Sequence, residues 1–312
     1  MDRISTSSAY GAILTNLMTA EVNQTNAGNQ LSSSEKATDL KGYAGSAETL
    51  AAMQATSTQV TGYLNETQTV GAKLAMQNTA LGEVSGAAGS AIQAITNALS
   101  STNGTNVMQS LQDALSTAIG GLNATFNGEY LFAGGQVNTQ PVSATSLSSL
   151  TSGPISSLFH NDQRPTNSQI NQNTTINSGF LADQVGSPLF TVLQNIQNYV
   201  QTNGPFTGTL TTAQTAFLTQ QVSTLDTVQT NLNNVVAQNG LMQNQVTSAQ
   251  TDLGQRQTML QGLIGNLTNA DVAKAATNLQ QAQVAVQAAG EVFNSLNASS
   301  LLHFLTTSAA GG

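Results

Sequence analysis

Proline is confined to one window of this 312-residue chain. The five prolines are Pro141, Pro154, Pro165, Pro188 and Pro205. Because proline lacks a backbone donor and clashes with the preceding turn, it breaks the interior of a helix. The flanks, which have no proline, are free to form long helices. The distribution therefore predicts two helical arms around a central segment of different structure.

An apolar heptad repeat runs through the arm that follows the window. Its members are Leu218, Leu225, Leu232, Asn239, Val246, Leu253, Leu260 and Leu267. A repeat of this kind is typical of a coiled-coil seam. The pair Asn239-Gly240 allows a second interpretation, in which a turn divides the arm into a hairpin. The heptad phase is the same before and after this pair, which favours one continuous helix about 85 Å long with a polar seam position at Asn239.

A further helix is predicted to follow, with Thr268 or Asn269 as its N-cap and Asp271 in its first turn. Its seam alternates larger residues with mostly alanine, in the order Val272, Ala275, Leu279, Ala282, Val286, Ala289, Phe293 and Leu296. The arm before the window has weaker helical spacing, over residues 53–99 and again over 107–126. Since glycines recur within it, we expect this arm to depend on packing against the other.

The central window carries both strand and helix signals. An alternating run predicts a strand through Ile170, Thr174, Ile176 and Phe180. A helical stripe predicts a helix that starts at Pro188. The expected fold is mainly α, a long antiparallel helical coiled-coil bundle formed by the N- and C-terminal arms, with a small α+β insertion domain. We expect inner helical segments at 1–40 and 268–312, arms of a helical rod at 41–135 and 207–267, and the insertion at 136–206.

Charged residues are scarce, which limits the partners of the chain. They make up 7% of the sequence, against about a quarter in an average soluble protein. Interface centres are depleted in charge, so this composition favours faces that are covered by neighbouring subunits.

The net charge of −8 argues against nucleic acid as a partner, and neither a polybasic patch nor a long apolar run predicts a membrane contact. We also expect no cleaved signal peptide, and the lack of cysteine excludes disulfides and thiolate catalysis.

No residue pattern predicts catalysis, a cofactor or a metal site. The strongest candidate is His160 with Asp162 and Arg164, which is more typical of a solvated turn flanked by proline. His303 lies in an apolar stripe, and the carboxylates form no close pair. We therefore expect the chain not to be an enzyme.

Four short motifs carry a resemblance to a known family. They are "RIST" at 3–6, "QLSS" at 30–33, "GEYLFAGG" at 128–135, and "NADVAKAATNLQQAQVAVQAA" at 269–289 followed by "SSLLHFL" at 299–305. In their order and placement the chain resembles the flagellin superfamily, and within it the flagellar hook-filament junction proteins. One departure is that Ser34 stands where family members have glycine, and a second is that Asp39 stands alone where they have an Asp-Asp pair.

The resemblance implies a structural subunit of the bacterial flagellum, exported by the flagellar type III apparatus, that joins hook to filament by copolymerising through its terminal helices. Implied partners are further copies of the chain in a ring or tube, flagellin, a neighbouring hook-associated protein and a flagellar export chaperone. The implied assembly interface packs two terminal segments together, within and between subunits. Its residues are Ile4, Tyr10, Leu14, Leu17, Val272, Leu279, Val286, Phe293, Leu296, Leu301, Leu302 and Leu305.

Two alternatives stay open at this point. A filament flagellin has the same helical arms, and the motifs at 3–6 and 128–135 favour the junction protein over it. A carbohydrate-binding surface module in the central insertion belongs to a different class, and an isolated fragment that binds sugar would support it.

Overall fold

The computed structural model describes the backbone of residues 2–309 and the side chains of residue 8 and residues 10–298. Its helices are α1 (Asp2–Ser33), α2 (Ala47–Ser101), α3 (Val107–Leu122), α4 (Leu147–Leu150), α5 (Ala182–Asn203), α6 (Thr212–Thr268) and α7 (Val272–Ala309). Short 3₁₀ helices cover Leu40–Ser46 and Ile155–Leu158. The strands are β1 (Thr125–Phe126), β2 (Glu129–Tyr130), β3 (Asn167–Asn171) and β4 (Thr174–Asn177). The prediction of a mainly α protein with a small α+β portion is confirmed.

The chain forms two compact units. The terminal unit comprises Met1–Gln59 and Gln257–Gly312, and the central unit comprises Val60–Arg256. Both α2 and α6 contribute residues to each unit. The boundaries expected from the sequence stay a prediction, since the division into two units cuts the long helices rather than the loops.

The core of the central unit is built by helices from both arms. Apolar side chains of α2, α3, α5 and α6 pack into one cluster, whose fully buried members include Leu81, Ile95, Leu111, Leu115, Leu189, Phe190, Leu218 and Leu225. A second cluster joins Val70 and Leu74 of α2 to Val246 of α6 and to the β3–β4 hairpin. Burying a side chain of this size contributes about 1.5–3 kcal/mol, so the two arms stabilise each other chiefly through these clusters.

The predicted continuity of α6 is confirmed. The helix runs without interruption through Asn239 and Gly240, and the alternative hairpin is wrong. Asn239 is fully buried, and its Nδ2 donates to the backbone oxygen of Leu74 at 2.9 Å. The amide of Gln243 donates to the same oxygen at 3.0 Å. The polar seam position therefore faces α2 and binds its backbone.

Two predictions within the central window are wrong in detail. The expected strand through residues 170–180 is a hairpin, in which antiparallel β3 and β4 bury Ile170 and Ile176. The helix expected to start at Pro188 begins six residues earlier, at Ala182. Tertiary contacts fix this earlier start, because the Ala182 amide donates to the Phe132 carbonyl. Pro188 then costs one intrahelical hydrogen bond, which the burial of Leu189 and Phe190 offsets.

The aromatic stretch after α3 forms a tight hairpin. Strands β1 and β2 pair across Asn127 and Gly128, which have φ values of 53° and 85°. Positive φ at both central residues is the conformation that favours Asn-Gly in two-residue hairpins. Beyond the hairpin, Phe132 is fully buried in the core of the central unit. This stretch therefore turns the chain after α3 with the help of a glycine and packs an aromatic residue into the core.

Replacing Gln77 by leucine should stabilise the protein. Gln77 of α2 is fully buried, and neither atom of its amide has a hydrogen-bond partner among the described residues. A buried polar group without a partner costs about 1–3 kcal/mol, so we expect Gln77→Leu to raise the free energy of unfolding by that order in urea titrations. The exposed Gln68→Leu, on the same helix, is the control and should change it little. A loss of stability in Gln77→Leu would contradict this reading of the core.

Candidate assembly site

The terminal unit pairs α1 with α7. The Tyr10 ring meets the Phe293 ring edge-on, with centroids 5.9 Å apart and planes at 88°, and its hydroxyl donates to Asn297 Oδ1 at 3.0 Å. At the other end of the pair, Glu35 forms an antiparallel bridge with Asn269. The early part of α1 therefore meets the late part of α7, and the end of α1 lies beside the start of α7. The two helices run antiparallel.

Small residues bring the two helices close together. Ala20 and Ala27 of α1 are buried, as are Ala275 and Ala282 of α7. Each pair is spaced by seven residues, which places its members on one helix face. Alanine at these positions allows the backbones to approach, and the half-buried larger residues then pack along the same line.

The predicted interface residues divide into three groups. Half-buried side chains are Tyr10, Leu17, Leu279, Val286, Phe293 and Leu296. Two others are largely exposed, Leu14 at 50% and Val272 at 46%. The side chains of Ile4, Leu301, Leu302 and Leu305 lie outside the described residues. The structure thus brings Tyr10 and Phe293 together and leaves Leu14 and Val272 uncovered within one chain.

Where α1 ends, Lys36 ties the following loop to the end of α6. Its ammonium donates to the carbonyls of Asn266 at 3.0 Å and Leu267 at 2.8 Å, and its amide donates to the Thr268 carbonyl at 2.7 Å. The last carbonyls of a helix lack intrahelical partners and carry the negative end of its dipole, so a cation stabilises them. Sequence reasoning missed this residue, since a single lysine gives no signal until folding brings a distant helix end beside it.

The N-cap of α7 differs from the prediction. Thr268 is the last residue of α6, and the backbone amide of Lys274 donates to Asp271 Oδ1 at 3.0 Å. Asp271 is therefore the N-cap, because its carboxylate satisfies the third amide of the helix. Neither Thr268 nor Asn269 has this role. The sequence pattern offered Thr268 or Asn269 as the cap and placed Asp271 in the first turn, and the close turn between α6 and α7 moves the cap to Asp271.

Ser34 lies in the left-handed region, with φ of 59°. An L-residue in this region is strained by contact between its Cβ and the backbone, whereas glycine is not. This conformation gives a physical reason for the glycine that family members have here. The Ser34 carbonyl accepts a hydrogen bond from the Ala270 amide at 2.8 Å, so the strained residue also takes part in the connection to α7.

The central unit contains the weak catalytic candidate of the sequence. Asp162 accepts hydrogen bonds from the amides of Gly135 at 2.8 Å and Arg164 at 3.0 Å, while His160 is exposed. These two backbone bonds lower the pKa of the Asp162 carboxyl below its ordinary value. The carboxylate is thus used to hold the turn at Gly134 and Gly135. The side chain of His303 lies outside the described residues.

Comparison with known proteins finds a family match for the C-terminal part of the chain. Residues 222–305 match the model of the bacterial flagellin C-terminal helical region. No curated protein sequence matches the chain. No helix among the described residues is long and apolar enough to cross a membrane.

Two solved structures have a similar fold. One, assigned as a flagellar hook-associated protein of Vibrio parahaemolyticus, has a TM-score of 0.57 and 14% identity, over 71% of this chain and 96% of its own. The other, Bacillus cereus FlgL, has a TM-score of 0.53 and 14% identity, over 70% of this chain and 99% of its own. The family match confirms the resemblance to flagellin over residues 222–305, and the two solved structures show that their fold is shared by this chain.

Replacing Ser34 by glycine should stabilise the terminal unit. We expect Ser34→Gly to raise the free energy of unfolding by about 0.5–1 kcal/mol. The substitution removes the strain of an L-residue in the left-handed region, and this gain exceeds the entropy cost of ordering the more flexible glycine on folding. The control is Ser33→Gly at the last residue of α1, which should be destabilising since its backbone is helical. Thermal unfolding followed by circular dichroism measures both. Equal effects in the two variants would rule out a role for the backbone conformation.

Asp162→Asn should change how stability depends on pH. A carboxyl whose pKa is lowered on folding stabilises the protein above its unfolded pKa, and this contribution disappears as the pH falls through the folded value. We therefore expect the variant to melt at a lower temperature than the parent at pH 7, and the difference to shrink as the pH falls below the ordinary pKa of 3.8 toward the lowered folded pKa. Melting temperatures that differ equally at pH 7 and pH 3 would contradict this assignment.

Proposed function

We propose that this flagellin-like protein is a structural subunit of the bacterial flagellum that joins the hook to the filament, copolymerising through α1 and α7. The observation that carries the proposal is the antiparallel α1–α7 pair, whose second helix lies largely within the matched flagellin C-terminal region at 222–305. The similar fold of two hook-associated proteins supports the junction role.

The surface of the terminal helices supports assembly with neighbours. Glu21 is the one charged residue between positions 8 and 33, and positions 275–290 contain none. Large apolar side chains are exposed in these two ranges, namely Leu14, Met18, Val22, Leu31 and Val284. A lone subunit would keep charge over such faces, whereas interface centres lose it. These faces are therefore suited to be covered by other subunits.

The remaining parts of the proposal follow from the resemblance to the flagellin superfamily. The partners are further copies of this chain, flagellin on the filament side, a neighbouring hook-associated protein, and an export chaperone before secretion. The location is the extracellular flagellum, reached by the flagellar type III route. The chain has a structural role and no catalytic one.

A filament flagellin is the second candidate, because the matched region is described as belonging to flagellin. Deleting the gene in its host separates the two. For a junction protein we expect cells that do not swim, hooks without filaments in electron micrographs, and monomeric flagellin in the culture medium. Filaments that persist after deletion would exclude the junction role and leave a redundant flagellin.

A single substitution tests the role of the α1–α7 contact. Phe293→Asp places a carboxylate without a partner against Tyr10, so we expect incorporation into flagella to be lost while the central unit stays folded. Incorporation is measured by immunoblotting of isolated flagella, and folding by circular dichroism of the purified chain. Ser295→Asp, two residues along on an exposed position, is the matched control and should incorporate normally. Normal incorporation of Phe293→Asp would count against this interface.

A further inference from the structure

A groove lined by amide side chains runs along one flank of the α1–α7 pair. It has a volume of about 590 Å³, and amides from both helices line it, namely Asn16, Asn23, Asn26, Gln30, Asn278 and Gln281. The buried alanines Ala20, Ala27 and Ala282 also line it. The lining holds no charged side chain, so the groove offers hydrogen-bond donors and acceptors above a floor of small residues.

The opposite side of α7 carries a second set of amides. Gln280, Gln283 and Gln287 are all exposed. At 3.6 residues per turn, Gln283 lies about 140° and Gln287 about 180° around the helix from Asn278 of the groove. These glutamines therefore form a ridge on the flank that faces away from the groove.

The groove and the ridge match in chemistry. A carboxamide both donates and accepts, so one row of amides can satisfy another without any charge. A charged partner would find no counter-ion in the groove, and an apolar helix would leave its amides without partners. A second uncharged amide surface satisfies these conditions, and this chain itself supplies one.

Groove and ridge also match in position. Since Tyr10 meets Phe293 and Glu35 meets Asn269, the middle of the ridge at Gln283 lies level with residues near Ala20 of α1. The groove extends along α1 from Asn16 to Gln30 and so covers the same length of the pair. A second copy placed beside the first, with little shift along the helices, would bring its ridge to the groove.

We propose that the amide groove between α1 and α7 binds the glutamine ridge of α7 from a second copy of this chain. The contact is heterologous, because the two surfaces differ and lie on opposite flanks, and such contacts repeat to give rings or helical arrays. The inference rests on the proposed function. It specifies which surfaces of neighbouring subunits are in contact. The apolar residues of α1 and α7 are left for other contacts.

The absence of native cysteine makes disulfide cross-linking a clean test. Cells that lack the gene are given two full-length single-cysteine variants together, Asn23→Cys in the groove and Gln283→Cys on the ridge. Isolated flagella are oxidised and run on a non-reducing gel. All substituted positions are exposed in the described chain, and restored swimming shows that each variant folds and assembles.

We expect a disulfide dimer from the mixed variants and none from either variant alone, since a heterologous contact joins unlike positions. Gln287→Cys, one turn along the ridge, replaces Gln283→Cys in a second mixture and detects a contact displaced by a turn. Ala288→Cys is the matched control, because this exposed position lies about 140° around α7 from Gln283 and about 100° from Gln287. A disulfide requires closely spaced Cα atoms, so we expect this control to give about fivefold less dimer or none.

Two outcomes overturn the inference, and they are distinguishable. The groove-to-ridge contact would be excluded, and the proposed junction role left standing, by swimming cells whose flagella give no mixed dimer from either ridge variant. The same conclusion would follow if Ala288→Cys gave as much dimer as the ridge variants. Absence of the unsubstituted chain from isolated flagella would overturn the proposed function, and this inference with it.

Discussion

The pairing of α2 with α6 is the interaction on which the central unit depends. The two helices are far apart in sequence, and α2 contains glycines that weaken a helix by about 1 kcal/mol each relative to alanine. Helix formation alone does not stabilise such a segment, so α2 depends on the apolar surface that α6 covers. The β3–β4 hairpin packs on this frame through Ile170 and Ile176, and α5 joins the same apolar cluster as the two helices.

Amide side chains of α6 add specific hydrogen bonds to the α2–α6 pairing. Gln250 donates to the Thr67 carbonyl at 2.9 Å, and Asn239 and Gln243 both donate to the Leu74 carbonyl. Each of these bonds joins a side chain of one helix to the backbone of the other. Apolar contacts tolerate sliding between helices, whereas a donor aimed at one carbonyl does not, so these bonds fix the register of the pair. In the same part of α2, the buried amide of Gln77 has no hydrogen-bond partner among the described residues.

In the terminal unit too, uncharged side chains join the helices, but these side chains are less buried than those of the central unit. Alanines, rather than leucines, form the buried line between α1 and α7, and several predicted interface residues stay half-exposed. This contact therefore buries little apolar area within one chain, and subunits added on either flank would supply more. The Lys36 connection to α6 holds the loop after α1 in place without requiring a large core.

Much of this protein follows from its sequence by itself. The distribution of proline and the unbroken heptad phase determined that the chain has two helical arms and that α6 passes through Asn239-Gly240, because both signals act locally along the helix. The same periodicity indicated Phe293 and its neighbours as a seam. Only the tertiary structure decided that Asp271 caps α7, that α5 begins at Ala182, and that Lys36 binds the end of α6. Each of these depends on a group brought close by folding from a distant part of the chain, or on the exact residue at which a neighbouring helix ends, and no local pattern encodes that distance.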